Sequence, residues 1–189
     1  MADPLKGKKR GLFVGRFNPI HLGHVEAIKR ILKEVDELII VVGSAQHSHE
    51  IDHPFTAGER ITMLRLALEE VGIDPSIYMI IPVPDVDAHT TWVSLVIAHT
   101  PRFDKVYSNE ALTRRLFKEA GFPVESIPLY KREIYSATEV RRRMLEGEDW
   151  KELVPRSVAE YIESIDGVGR LKDLTKSDKP SQGSNPRIR

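Results

Sequence analysis

The segment from Gly11 to His24, Gly-Leu-Phe-Val-Gly-Arg-Phe-Asn-Pro-Ile-His-Leu-Gly-His, constrains the fold of this 189-residue chain more than any other stretch. Leu12, Phe13 and Val14 make a short apolar run bounded by Gly11 and Gly15, the pattern of a buried parallel strand. Beyond His24 the period changes. Val25, Ile28, Leu32 and Val35 fall on one stripe and predict an amphipathic helix about four turns long. Strand therefore passes to helix through glycine, proline and two histidines. The free N–H groups and partial positive charge of a helix start attract anions. His21 and His24, three residues apart, share a face of the first turn and can reach one bound group. Gly23 between them leaves the backbone open to a base or a phosphate, and Arg16 adds a fixed charge.

The rest of the chain repeats the alternation. Glu37 to Val42 reads as a second buried strand ending at Gly43-Ser44, so strand, helix and strand form a βαβ unit. Such units are right-handed, and open α/β sheets bind ligands at the carboxyl ends of their strands, the edge where Ser44 lies. Thr56 to Glu59 is a capping box opening a helix with Ile61, Leu64 and Leu68 inward, ending near Gly72. Tyr78 to Val83 is a third strand, with Pro82 at its end. A helix through Val93, Val96 and Ile97 follows, with Trp92 at its start, placed either as core or to stack on a ring. Asp104 to Tyr107, Asn109 to Ala120 and Val124 to Ile127 read as strand, helix and strand. The expectation is an α/β, Rossmann-like, doubly wound sheet of five parallel strands with the first strand central.

A second constellation begins at Ser136, another capping box, whose helix should bury Ala137, Val140 and Met144. Helical side chains lean toward the N-terminus, so Arg141 should return to the helix start while Arg142 points elsewhere. Pro155 opens a last helix with Val158, Tyr161, Ile162 and Ile165 inward, ended by Gly167. Residues 176–189 are polar and are expected to form a disordered tail.

The strand-to-helix segment with its His-x-Gly-His, joined to Ser-x-Thr-x-x-Arg at Ser136, Thr138 and Arg141, resembles the nucleotidyltransferase superfamily. Gly-Arg-Phe-Asn-Pro before the histidines is similar to the nicotinamide-nucleotide adenylyltransferase branch, archaeal type. The resemblance spans residues 10–174, read as a single domain. It implies adenylyl transfer from ATP to nicotinamide mononucleotide, giving NAD and pyrophosphate by in-line attack without a covalent intermediate. It implies that His21, His24, Arg16 and Arg141 are catalytic, and that Gly15, Phe17, Asn18, Gly23, Ser136 and Thr138 bind ATP. Ser44, Trp92, His89, Tyr130 and Arg132 are then the nicotinamide nucleotide-binding residues, with Trp92 stacked on the ring. It further implies a homo-oligomer and a magnesium ion held mainly by substrate phosphates. Transfer to another acceptor, such as phosphopantetheine or flavin mononucleotide, and a noncatalytic nucleotide sensor are the competing readings. A class I aminoacyl-tRNA synthetase shares the histidine signature but needs tRNA-binding domains and a basic surface.

Composition narrows the field. Lys plus Arg and Asp plus Glu both number 28, so no basic footprint for a long nucleic acid exists. No apolar run approaches the ~20 residues that span a bilayer, and the N-terminus lacks a signal-peptide core, so a cytoplasmic protein without membrane attachment is expected. There is no cysteine, which excludes disulfides and thiolate zinc sites. His47, His49 and His53 lie in an aperiodic polar segment and are read as a loop flanking the nucleotide rather than a metal cluster; no metal ligand is assigned. Scarce Asn and Gln beside 30% charged residues is a composition expected of heat-adapted proteins.

Overall fold

The computed structural model describes residues 7–128 and 134–176. Strands β1 (Arg10–Gly15), β2 (Glu37–Val42), β3 (Tyr78–Pro82), β4 (Lys105–Tyr107) and β5 (Val124–Glu125) form one parallel sheet in the order β3-β2-β1-β4-β5. The first strand is central, as expected, and the order reverses on either side of it. Side chains alternate between two cores with the strand period of two. Phe13, Leu38, Ile40 and Val42 meet helices α1 (Leu22–Ile31), α2 (Ala57–Glu70), α5 (Ala137–Glu146), α6 (Arg156–Ser164) and α7 (Gly167–Thr175). On the other face Leu12, Ile39 and Val41 meet α3 (His89–His99) and α4 (Ala111–Glu119).

Several boundaries differ from the sequence reading, each for a local reason. Helix α1 has 10 residues rather than four turns. Its chain turns through Lys33 and Glu34, whose N–H groups bond to Arg30 and Ile31 carbonyls, and Val35 is buried on the way into β2. Ile97 is 46% exposed, because α3 buries Trp92, Val93 and Val96 and leaves Ile97 off that stripe. Asn109 precedes α4 instead of belonging to it. Its side chain donates to the Ile127 carbonyl at 2.7 Å and accepts the Ile127 N–H at 2.9 Å, so a side chain pairs Ile127, and β5 itself holds only Val124 and Glu125.

Gly167 does not end the chain's last helix but begins α7. A Cβ there would lie 2.8 Å from a ring carbon of Phe55 and 2.9 Å from Ile162 Cγ2, so the glycine permits close packing. The preceding Asp166 turns the chain with φ 51°. Leu171 of α7 is fully buried. No helix among the described residues is long and apolar enough to cross a membrane.

Candidate active site

A cavity of about 740 Å³ opens at the carboxyl ends of β1 and β2, between the β1–α1 turn and the start of α5. That volume lies within the range of ligand-binding clefts. The β1–α1 turn forms one wall. Phe17, with φ 49°, folds its ring back over Gly15, where a Cβ would meet the ring at 2.7 Å. The same ring packs edge-on to Phe13 at 5.5 Å and against His24 at 4.9 Å. Phe17 is thus buried at the cavity wall, where its ring supports a histidine.

His21 and His24 stack with ring centroids 3.7 Å apart. Burial lowers the His21 pKa to about 4, and burial together with the neighbouring His21 ring holds His24 well below the usual imidazole value. Both rings are therefore neutral at pH 7. The His21 main-chain N–H donates to His24 Nδ1 at 3.4 Å, which leaves the His24 proton on Nε2. Gly23 has a packing role, since a Cβ there would sit 3.0 Å from both His21 Nδ1 and Tyr135 Cβ. Arg16 is exposed at the rim.

The opposite wall is the start of α5. Ser136 caps it, accepting the Glu139 N–H at 3.1 Å. The reciprocal half of the predicted capping box is absent, because the Glu139 carboxylate is taken by Arg142 at 2.8 Å and Arg143 at 2.9 Å. Val140 and Met144 are buried as predicted, and Ala137 only partly. Three consecutive arginines thus diverge. Arg142 and Arg143 stay on the acidic flank, while Arg141, 8% exposed, enters the site and donates to the Asn18 carbonyl at 2.8 Å and to Asp52 Oδ1 at 3.0 Å. Thr138 lies exposed at the mouth. Asn18 is buried; its side-chain oxygen accepts the Phe55 N–H at 3.3 Å.

Ser44, buried with φ 51°, follows β2 on the side toward β3. Trp92 lines the cavity from α3 while packing edge-on to Phe117 at 5.8 Å, so its core reading holds. Its indole N–H is buried and finds no hydrogen-bond partner among the described residues. His89 is exposed at the first position of α3. Tyr130 and Arg132 lie outside the described residues. In the loop after β2, His47 meets Glu50 at 3.0 Å and His53 at a ring separation of 5.3 Å. Among the described residues no group of three or more His, Cys, Asp or Glu is arranged to hold a metal ion.

Two site residues escaped the sequence reading. Asp52, an exposed acid in an aperiodic loop, carries no local signal. Arg60 does carry one, because it lies on the stripe that continues through Leu64 and Leu68 and is fully buried with them. A charge in an inward stripe must be satisfied, and Arg60 bonds main-chain carbonyls of both strand-to-loop turns at the cavity floor.

A parallel sheet that presents a helix start, two neutral imidazoles and a guanidinium to one crevice at its switch point has the architecture of nucleotidyl-transfer proteins. Residues 12–143 match the family described as Cytidylyltransferase-like. A nicotinamide-nucleotide adenylyltransferase of Methanolobus tindarius is 53% identical over 90% of this chain and 97% of its own. That of Methanosarcina mazei is 54% identical over 89% and 96%. A bifunctional NMN adenylyltransferase/ADP ribose pyrophosphatase from Francisella tularensis, whose structure was also determined with AMP and a manganese ion, shares the fold. In that complex the TM-score is 0.73 at 24% identity, over 88% of this chain and 52% of that one. The chain belongs to the nicotinamide-nucleotide adenylyltransferase family.

Proposed function

We propose that this chain transfers the adenylyl group of ATP to nicotinamide mononucleotide, forming NAD and pyrophosphate. A phosphate oxygen of the mononucleotide attacks the α-phosphorus of ATP as the bond to the β-phosphate oxygen breaks and pyrophosphate leaves. The observation that carries the reading is the facing pair of walls, with neutral, hydrogen-bond-oriented His24 on one and the cavity-directed Arg141 on the other. Relatives of half identical sequence over nearly the whole length supply the acceptor's identity.

The residues act by positioning and electrostatics, with no protein nucleophile required. His24 donates from Nε2 to an α-phosphate oxygen as charge builds there, and His21 supports it and the neighbouring phosphate. Arg141 and the N–H groups at the start of α5, with Ser136 and Thr138, hold the pyrophosphate that departs. Arg16 adds charge at the rim. Trp92 stacks on the nicotinamide, with Ser44 and His89 beside it. A magnesium ion fits this donor set as a passenger of the phosphates, since Asp52 and Asp85 on the lining are exposed and Glu110 is spent capping α4. When bound, it neutralises phosphate charge.

Incubation with ATP, Mg²⁺ and a panel of acceptors, with products identified by mass, tests the reading. NAD from nicotinamide mononucleotide is the expected product. Dephospho-coenzyme A or flavin adenine dinucleotide would move the chain to another acceptor, and nucleotide binding without product would make it a sensor.

A further inference from the structure

We infer that Arg60 is a positioning residue that fixes the separation of the ATP and mononucleotide subsites; the inference rests on the site assignment proposed above. Arg60 lies on α2 and has no solvent exposure. Its Nη1 donates to the carbonyls of Arg16 at 3.0 Å and Gly43 at 2.9 Å. Its Nη2 donates to the carbonyls of Ser44 at 3.0 Å and His47 at 3.5 Å, and its Nε to Thr56 at 3.4 Å. No carboxylate pairs with it among the described residues. The guanidinium is instead devoted to main chain.

The location of those carbonyls gives the bonds their meaning. The Gly43 N–H still bonds the Gly15 carbonyl at 3.0 Å, continuing the β1–β2 pairing for one last step. Past that bond the two chains diverge. One runs through Arg16 to the stacked histidines, and the other through Ser44 toward the acceptor end. Arg60 sits in the fork and ties both branches to one rigid, planar group. Ser44 is also held in the left-handed region at φ 51°, a conformation unfavourable for a side chain-bearing residue, and its carbonyl is among those gripped.

The chemistry requires this side chain in particular. An apolar residue would leave buried carbonyls without donors, and a lysine, a single compact ammonium, cannot span three chain segments in a fixed plane. In-line attack needs reacting atoms about 3–3.5 Å apart, and a displacement of about 1 Å costs up to about 10²-fold in rate. A shift in the fork would misalign the two substrates without removing any group that touches either of them.

Arg60→Lys and Arg60→Met are compared with Met63→Ala, which opens a cavity at a fully buried position on the same helix but bonds no site carbonyl. The readouts are kcat with both substrates saturating, well below every melting midpoint, and calorimetric Kd values for ATP alone and mononucleotide alone. The expected result is a kcat loss of about 10–100-fold in both Arg60 variants. Each Kd should stay within about threefold, while Met63→Ala lowers the melting temperature and keeps kcat. A folded Arg60→Lys with kcat within twofold of the parent overturns the proposal. So does an equal kcat loss in Met63→Ala, a large loss of affinity for one substrate with kcat intact, or failure of both Arg60 variants to melt cooperatively, since each makes the role structural or local. His24→Ala, made in parallel, separates this from the site assignment: unchanged kcat there rejects the site itself whatever Arg60 does.

Discussion

The two ends of the crevice are built on different principles. At the end proposed to hold the phosphates, three polar side chains have a second contact that aims them: His24 by the His21 N–H, Arg141 by the Asn18 carbonyl, and Ser136 by the first turn it caps. At the ring end Trp92 is positioned by packing on Phe117, and exposed His89 stands at a helix start without a side-chain cap. Charge in a transition state must be met by dipoles already in place, whereas an aromatic ring is recognised by area and shape. The phosphate end is therefore expected to govern kcat, and the ring end KM.

The largest effect tests the dryness of the phosphate end. His21 is neutral in the fold with a pKa of about 4 and titrates near 6.5 when unfolded. Between those values the unfolded chain binds a proton that the folded chain refuses, so stability is full above pH 6.5 and falls as pH drops toward 4. For His21 alone the loss is about 3 kcal/mol. Denaturant melts across that range should show it, and His21→Gln should flatten the slope. A pH-independent midpoint between 6.5 and 4 would mean the pair is solvated.

Next in size, His24→Ala should lower kcat by about 10²-fold or more, as removal of a transition-state donor does. A raised ATP KM with kcat unchanged would remove the kinetic half of the comparison.

Arg141→Lys should cost about tenfold in kcat/KM, because the ammonium cannot keep the Asn18 carbonyl and grip a phosphate in bidentate fashion together. Arg142→Lys should be nearly silent, its partners being Glu139, Glu146 and Glu148 on the outer flank. Steady-state kinetics on the two variants decide it, and equal losses would contradict the division of the three arginines.

Trp92→Ala should raise the mononucleotide KM by about 1–2 kcal/mol while sparing that of ATP. It should also lower the melting temperature through the lost Phe117 contact, so Trp92→Phe, keeping an aromatic face and most of the packing, is the variant that separates the two effects. A raised ATP KM would place the indole at the wrong end.

What the sequence disclosed follows the same division. The central strand, the histidine pair, the Ser136 cap and the inward turn of Arg141 were legible because periodicity, cap chemistry and side-chain lean are local rules. The packing role of Gly23 and the meaning of Gly167 were not, since each depends on a side chain distant in sequence, Tyr135 for one and Phe55 for the other. Arg60 was half legible: its stripe predicts burial, but nothing local states that its partners are carbonyls after two different strands. Asp52 meets Arg141 across a sequence separation of 89, which no motif encodes.

Asp52 also supplies the smallest effect and the sharpest test of what preorganisation means at the phosphate end. Its carboxylate is largely exposed and accepts a hydrogen bond from Arg141 Nη2 at 3.0 Å, taking a donor that an incoming phosphate oxygen would use. An internal anion there holds the arginine in place but must be displaced by ATP. Exposed pairs of this kind are worth about 0.2–1 kcal/mol, so Asp52→Asn should lower the ATP KM by about 1.5–5-fold. The gain should shrink with added salt, which screens the pair it removes. kcat should hardly change, because Arg141 keeps its bond to the Asn18 carbonyl. ATP titrations at two ionic strengths and two Mg²⁺ concentrations read the outcome. If the ATP KM rises instead and more Mg²⁺ restores it, the carboxylate serves the metal rather than competing with the phosphates. The phosphate end would then be completed by its ligand instead of being finished before the ligand arrives.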